Sequence, residues 1–421
     1  MMLFFKECKK ILRSLTFLIY CAAVLAMYFT QFHSDIGGPL EKPAPGEDSY
    51  GTIVREVPEI LMPVAINCLV REYFSGSFTA YPYGFIKHVR LTEKEKARMA
   101  EIIAEVSGIT PEQLDSFDAF EQGGYYMDEN GDMAYLEPNI PEISIPSDLT
   151  YEHFRDLMRK ADKIIGGGSM YGDGFIVGNF SRIPKTYEDA LAEYDQFIDK
   201  DKVTGAYARL YCDYLGIVLA MLPVFVAASL ARLDRKSRME QLAYARKISS
   251  ARLVFTRFFA LAAVMLLPLI LTAVIAHIRV KGVYAGYAVD SFAFLRYVVF
   301  WLVPNILTAS AVGMLVTELV SGLLAVFVQG VWWIASIFSA VGGLTGGIRK
   351  FTLVMRHNSL LGHDVFYGQW TDIVFNRSFF TVFSLLAIML TAWIYEQKRR
   401  GMIHGLTFKS SHKNTERQPK A

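Results

Sequence analysis

The segment Gly342-Gly343-Leu344-Thr345-Gly346-Gly347-Ile348-Arg349-Lys350 is the nearest approach in this sequence to a phosphate-binding loop. Such a loop needs a glycine-rich turn whose last Gly runs directly into Lys and then Ser or Thr. The backbone amides cradle the phosphates, the Lys reaches the outer ones and the hydroxyl holds the metal. The spacing here does not provide that, so the segment reads as a flexible exit from an apolar run. His357 and His363-Asp364 lie close together, but their spacing does not place both rings on one helix face, as a zinc pair requires. They read as ordinary loop histidines. Tyr171-Gly172-Asp173-Gly174 reads as a turn outside the apolar runs, which removes an intramembrane protease from consideration. There is no His-Glu-x-x-His, Gly-x-Ser-x-Gly or Cys-x-x-Cys. No catalytic residue, cofactor or metal site is expected.

Polar residues inside apolar runs are suspects of a second kind, because they are costly in lipid. Asp213, His277 and Glu318 stand near run ends, within reach of water, while Asn305 and Gln329 sit deeper and are expected to bridge helices. A proton-coupled carrier needs a deeply placed carboxylate, and none stands out. Any transport is therefore expected to draw on an external energy source.

The elements that would position these residues follow from composition. The chain has 421 residues, 52% hydrophobic and 20% charged, and a mean hydropathy of +0.27. That is too apolar for ordinary soluble domains and too charged for a wholly buried membrane protein. Disorder is excluded by the apolar content, and nucleic-acid binding by the scatter of the basic residues. The net charge of +2 hides a segregation: 31 of the 41 acidic residues lie between Asp35 and Asp201. The four cysteines form no framework. Cys68 and Cys212 fall on one side of the topology below, but no bridge is expected.

Six runs approach the roughly 20 mostly apolar residues that a span needs: 15–30, 214–231, 258–278, 297–317, 319–341 and 379–395. The first follows Lys6, Lys9, Lys10 and Arg13 and lacks a small-x-small cleavage site, so it reads as a retained anchor. The N-terminus, the eight basic residues in 232–257 and the seven after the last run would all share one side. By the positive-inside rule that side is the cytoplasm.

The expected fold class is thus an α-helical polytopic membrane protein of six transmembrane helices, with a large, mainly helical α+β extracytoplasmic domain between the first and second. The expected boundaries are 1–31 for an amphipathic elbow and first span, 32–209 for the outer domain and 210–231 for the second span. Residues 232–257 form a cytoplasmic loop, 258–396 the remaining spans with an outer loop at 342–378, and 397–421 a basic cytoplasmic tail.

Within the outer domain, Thr92 and Glu95 form a capping-box pattern that opens a helix to Val106. Further helices are expected at Pro111, over 150–165 up to Gly166-Gly167-Gly168, and near Tyr187, the last able to run on into the second span. The acidic surface reads as a device for solubility beside anionic lipid, with a site for cationic peptides or drugs as the alternative.

The loop after the second span is the most specific feature. It contains Met239-Glu240-Gln241-Leu242, then Ile248-Ser249-Ser250, then Arg257 opening the third apolar run. This order resembles the first cytoplasmic loop of type-2 ABC transporter permeases, although the Pro usual in that family is missing and Arg246-Lys247 stand near its place. Phe4-Phe5-Lys6-Glu7-Cys8-Lys9-Lys10-Ile11-Leu12 fits the amphipathic elbow helix of the same family.

The resemblance implies the transmembrane subunit of an ATP-driven exporter in the cytoplasmic membrane, with both termini inside. ATP would be bound and hydrolysed by a separate cytoplasmic P-loop ATPase. The other partners implied are membrane lipid and a second permease chain, identical or a paralogue. Met239, Glu240, Leu242, Arg246, Lys247 and Ile248 would then form the contact with the ATPase. The alternative from another class is a non-transporting sensor or assembly protein that binds a ligand through its outer domain. The substrate stays open among lipids, peptides, drugs and polysaccharides.

Overall fold

The computed structural model describes residues 2–81, 87–116, 124–127, 133–136, 143, 145–237, 240–245, 247–341, 348 and 350–402. The chain divides into two compact units, one from Met1–Pro39, Asp201–Ile334 and Tyr367–Ala421, the other from Leu40–Lys200 and Ala335–Phe366.

The first unit opens with α1 (Met2–Leu12), which buries Glu7 and Ile11 and leaves Met2, Phe5 and Leu12 exposed. Ser14 ends it and caps α2, its Oγ accepting from the Phe17 amide. The helix that starts with α2 (Leu15–Met27) runs on through a π turn to Asp35, 21 residues in all. Phe17, Tyr20, Val24 and Tyr28 recur at helical spacing and form its buried face, while Leu15, Leu18, Ile19 and Phe29 face outward.

The second unit packs α3 (Pro58–Ser75), α4 (Glu93–Ser107) and α6 (Tyr151–Ile165) around one core. Leu61, Ile66 and Leu69 of α3 meet Met99, Ile103 and Val106 of α4 and Phe154, Met158 and Ala161 of α6 in that core. The capping box at Thr92 is present, with Glu95 Oε2 accepting from the Thr92 amide at 2.9 Å. Helix α6 stops at three successive glycines with φ of +108°, +84° and +71°, a conformation that side chains resist. Shorter helices are α5 (Pro111–Ser116), α7 (Ile176–Phe180) and α8 (Tyr187–Asp195). Three two-stranded antiparallel pairs complete the unit. They are β1 (Thr52–Val54) with β6 (Arg182–Pro184), β2 (Phe78–Ala80) with β3 (Lys87–Val89), and β4 (Gly124–Met127) with β5 (Met133–Leu136). The unit also gathers the sequence-distant segment 335–366, tied by a 2.8 Å ion pair between Lys200 and Asp364.

Back in the first unit, the chain does not run from α8 straight into a span. Lys202 and Val203 have φ of +50° and +60° and interrupt it before α9 (Thr204–Leu219). A buried β-branched residue in that region is strained by about 1–3 kcal/mol. The buried Asp201–Arg209 pair and the Thr204 hydroxyl, which bonds the Asp290 backbone, hold it there.

The expected continuous span over 214–231 is also broken. Helix α9 and α10 (Pro223–Lys236) meet at 43°, because Pro223 has no N–H and its ring disfavours helix in the residue before it. After the short α11 (Glu240–Tyr244) comes α12 (Ser250–Val283), 34 residues long and so about 50 Å, more than a bilayer core requires. Helix α13 (Ala293–Tyr297) continues through a π turn into α14 (Val303–Leu319). Then follow α15 (Gly322–Val341), α16 (His363–Gly368) and α17 (Trp370–Arg399). A Cβ at Gly313 would come within 2.7 Å of Ala227 Cβ, so this glycine lets α14 lie close against α10.

The protein is therefore mainly helical. Among the described residues, four helices are long and apolar enough to cross a membrane: Leu15–Asp35, Ser250–Val283, Ala293–Leu319 and Trp370–Arg399. The bent α9–α10 pair makes a fifth if it counts as one span. Helix α15 is apolar, but its qualifying part, Gly322–Ile337, is shorter than the others.

Candidate functional site: a presented helix and a buried polar layer

Asn305 and Gln329 are both fully buried, and Gln329 answers the broken backbone of α9–α10. The kink diverts the amides of Met221 and Val224 to the carbonyls of Val218 and Met221, three residues back in each case. Ile217 and Ala220 thereby lose their usual helical donors. From α15, Gln329 Nε2 donates to the Ala220 carbonyl at 2.6 Å and Trp333 Nε1 to that of Ile217 at 2.8 Å. One helical turn separates the two donors, which matches the separation of the carbonyls they serve. In lipid an orphaned carbonyl costs several kcal/mol, so these two side chains make the break tolerable. Asn305 Nδ2 donates to the Gly216 carbonyl at 3.3 Å and joins α14 to α9.

Asn305 belongs to a larger polar layer. Its Oδ1 accepts from Arg377 Nη1 at 2.7 Å, and the same nitrogen donates to the Trp301 carbonyl at 2.9 Å. Arg377 also donates to Asn376 Oδ1, and its guanidinium lies 5.7 Å from the Phe380 ring centroid. Deeper along the same helices, Thr308 and Ser384 hydroxyls meet at 3.0 Å. Asp213 is fully buried on α9, one turn before Gly216. Arg377 and Asn376 fall outside the last apolar run that the sequence marks, which begins at Phe379. Helix α17 in fact begins at Trp370. The available signal was a buried stripe at helical spacing through Ile373, Arg377, Phe380, Ser384, Ala387 and Thr391.

The second feature is the short helix α11 at the head of α12. Leu242 points outward, 59% exposed, and Lys247 is exposed. Ile248 is half-buried, and its carbonyl accepts from Arg399 Nη1 at 2.8 Å. The Tyr244 ring packs edge-on against Tyr395, and Ser250 Oγ donates to Glu396 Oε2 at 2.5 Å. The C-terminal end of α11 and the segment after it are thus tied to the end of α17. Met239 and Arg246, and the side chain of Glu240, lie outside the described residues. At the same end of α12, Arg257 lies 3.7 Å from the buried Glu7 carboxylate, which also holds Lys10 at 2.7 Å. The N-terminal helix, the α10–α12 connection and the end of α17 therefore converge on one end of the bundle. Lys398 adds a bond to the Glu318 backbone carbonyl at the end of α14.

Two titratable groups of the second unit are perturbed by their surroundings. Burial pushes the Glu72 carboxyl up from its ordinary value, although Tyr171 Oη and the Thr79 amide donate to it at 2.7 and 2.8 Å. Burial raises the neighbouring Cys68 thiol too. His357 bonds the Leu361 carbonyl, and His363 bonds Asp364, so both rings serve local structure. Among the described residues no three His, Cys, Asp or Glu groups gather as a metal would require, and the four cysteines are unpaired.

Compared with known proteins, the chain matches no family model, no curated protein and no solved structure.

Proposed function

We propose that the chain is the transmembrane subunit of an ATP-driven exporter, coupled to a separate cytoplasmic ATPase and paired with a second permease chain. The observation that carries this reading is the short helix α11, with Leu242 exposed while its C-terminal end and the segment leading into α12 are tied to α17 through Tyr244–Tyr395 and Ile248–Arg399. A partner that pushes on α11 would move the ends of α12 and α17 together, and α1 with them through Glu7–Arg257. This is a rigid-body, two-state coupling biased by nucleotide bound elsewhere.

Two further observations support the topology that the reading needs. The basic N-terminal helix, the described part of the α10–α12 connection and the basic end of α17 meet at one end of the bundle, as three stretches on one side of a membrane would. The segments 40–200 and 335–366 fold into one unit, as they would if both lay on the opposite side. In this reading that unit is extracytoplasmic, the termini are cytoplasmic, and six spans result if α15 and the bent α9–α10 pair each count as one. Gln329 is structural within it, holding a broken helix in lipid, and Asn305 and Arg377 tie α14 to α9 and α17.

The test is to purify the chain from its native membrane under mild conditions and ask what comes with it. A P-loop ATPase whose turnover falls when the chain is removed supports the reading. The purified chain alone should hydrolyse no ATP above a mock preparation, since it has no phosphate-cradling loop. If no ATPase accompanies it and the second unit instead captures a soluble ligand without transport, the chain is a sensor or assembly protein.

A further inference from the structure

A groove runs between the start of α12 and the end of α17, with a volume of about 490 Å³. That lies inside the ~300–1,000 Å³ range of ligand sites. Its chemistry changes along its length. At the inner end, Phe255 of α12 faces Met389 and Trp393 of α17, and Trp393 is 54% exposed. At the other end lie Ser249, Glu396 and Arg399. Helical spacing produces this gradient on both walls: the stripe 389, 393, 396, 399 on one helix and 251 and 255 on the other.

The chain around the polar end is basic. Arg399 lines it, and Lys247, Arg252 and Arg400 stand within three residues of the lining positions Ser249 and Arg399. Glu396, the one carboxylate lining the groove among the described residues, already pairs with Arg400 at 2.8 Å and accepts from Ser250. Lys247 and Arg252 are exposed and have no ion pair among the described residues. The Ser249-capped start of α12 adds the positive end of a 34-residue helix.

We propose that this groove is a binding site for an anionic phospholipid. One acyl chain lies along Phe255, Met389 and Trp393, and the phosphate sits at the head of α12 between Lys247, Arg252 and Arg399. An apolar floor beside an indole with a cationic rim matches a lipid at the boundary of the hydrocarbon, where Trp and basic residues concentrate. A soluble anion would not need the apolar floor, and a zwitterionic lipid would not need the excess of cations. The site also touches the residues that hold α11, since Arg399 bonds the Ile248 carbonyl. A bound lipid would therefore brace that presented helix. The inference needs only that the helices cross a membrane, so it stands or falls apart from the transport reading.

The experiment reconstitutes the full chain in nanodiscs of phosphatidylcholine doped with a low, equal mole fraction of brominated phosphatidylglycerol or brominated phosphatidylcholine. Bromine quenches tryptophan on contact, and subtracting the quenching of Trp393→Phe isolates the Trp393 signal. The expected result is at least about threefold stronger Trp393 quenching by the anionic lipid. The double variant Lys247→Gln, Arg252→Gln removes no ion pair seen here, so it should keep its helical content and elution volume while losing the preference. Equal quenching by the two lipids in the unmodified chain would make the groove an ordinary lipid-facing surface and overturn the proposal. So would a preference that survives removal of the two charges. Should the double variant fail to fold, retained phosphatidylglycerol counted by native mass spectrometry on the unmodified chain and on Trp393→Ala decides instead. The same number retained by both would also overturn it.

Discussion

Arg377 Nη1 donates to Asn305 Oδ1 at 2.7 Å with both side chains buried, and this bond joins α17 to α14, whose Asn305 also bonds the Gly216 carbonyl of α9. A buried guanidinium is expensive in itself, so removing it relieves a desolvation cost. Removal also leaves Asn305 Oδ1, Asn376 Oδ1 and the Trp301 carbonyl without this donor. Each hydrogen bond lost from a charged donor is worth about 1.5–3 kcal/mol, which outweighs the relief when three acceptors are involved. Arg377→Met is therefore expected to lower the thermal midpoint of the detergent-solubilised chain. Asn305→Leu in the same background should recover part of the loss, because it removes one stranded acceptor. A midpoint unchanged in Arg377→Met would mean that the polar layer contributes nothing to stability.

The second unit should lose stability as pH rises through the range in which Glu72 ionises. Its folded carboxyl is raised above the ordinary 4.5 chiefly by burial. Protonation is thus favoured by the folded state, and the associated stability is full below that value and lost as pH climbs through the folded one. The carboxylates lowered by pairing, Asp173 beside Arg155 and Asp189 beside Arg55, act below their ordinary 3.8 and do not oppose this window. Cys68, half-buried beside Glu72, is the reporter. With the other three cysteines replaced, its labelling by a thiol reagent, corrected for thiolate content, should quicken as pH rises above 4.5. Glu72→Gln should flatten that dependence, and a slope left intact by the substitution would assign it to another group.

Glu105 and His153 pair at 2.5 Å across α4 and α6, and the two helices themselves were readable from periodicity and caps. Thr92 with Glu95 and the triple glycine after Ile165 each mark a helix end through local chemistry that needs no tertiary partner. Helix α3 was not readable. Pro58 and Pro63 stand inside its first turns, and its stripe is blurred because which of its residues are buried depends on other elements: Ile60 and Val64 are exposed while Glu72 is buried. The same logic hid the polar layer. Whether Arg377 lies in water or in a protein interior depends on where α17 starts, and Trp370 to Asn376 reads as a loop until its packing is known. The break at Pro223 was signalled by the proline alone. Its tolerability rests on Gln329 and Trp333, which lie on α15 far along the chain. Gln329 was singled out as a helix bridge, but the carbonyl it serves, Ala220, was invisible without the kink.

Topology has its own consequence. If the second unit and the α10–α12 connection lie on opposite sides of the membrane, single cysteines at exposed positions in each will label from opposite faces. Glu101→Cys in α4 and Ser237→Cys after α10 are suitable, in a chain whose native cysteines have been replaced. An impermeant maleimide on intact cells should reach the first and miss the second, and permeabilised cells should show both. Equal labelling of the two in intact cells would remove the basis for an inward-facing α11.

The last prediction concerns Leu242. A large aliphatic side chain 59% exposed on a short helix is either an ordinary surface residue or an anchor awaiting a groove. The two differ in magnitude. Truncating a surface leucine changes stability by a few tenths of a kcal/mol, whereas truncating a central, desolvated anchor costs about 2 kcal/mol or more of binding. Leu242→Ala should accordingly weaken retention of the ATPase by roughly thirtyfold, the factor that 2 kcal/mol represents. The chain itself should insert and melt as before, because Leu242 buries little within it. Lys247→Gln, three residues beyond the end of α11, should change retention far less. The readout is ATPase recovered with the chain and ATP turnover of the reconstituted complex, with expression measured in parallel. Wild-type retention and turnover in Leu242→Ala would make α11 a solvated connection between α10 and α12, and the exporter reading would lose the observation that carries it.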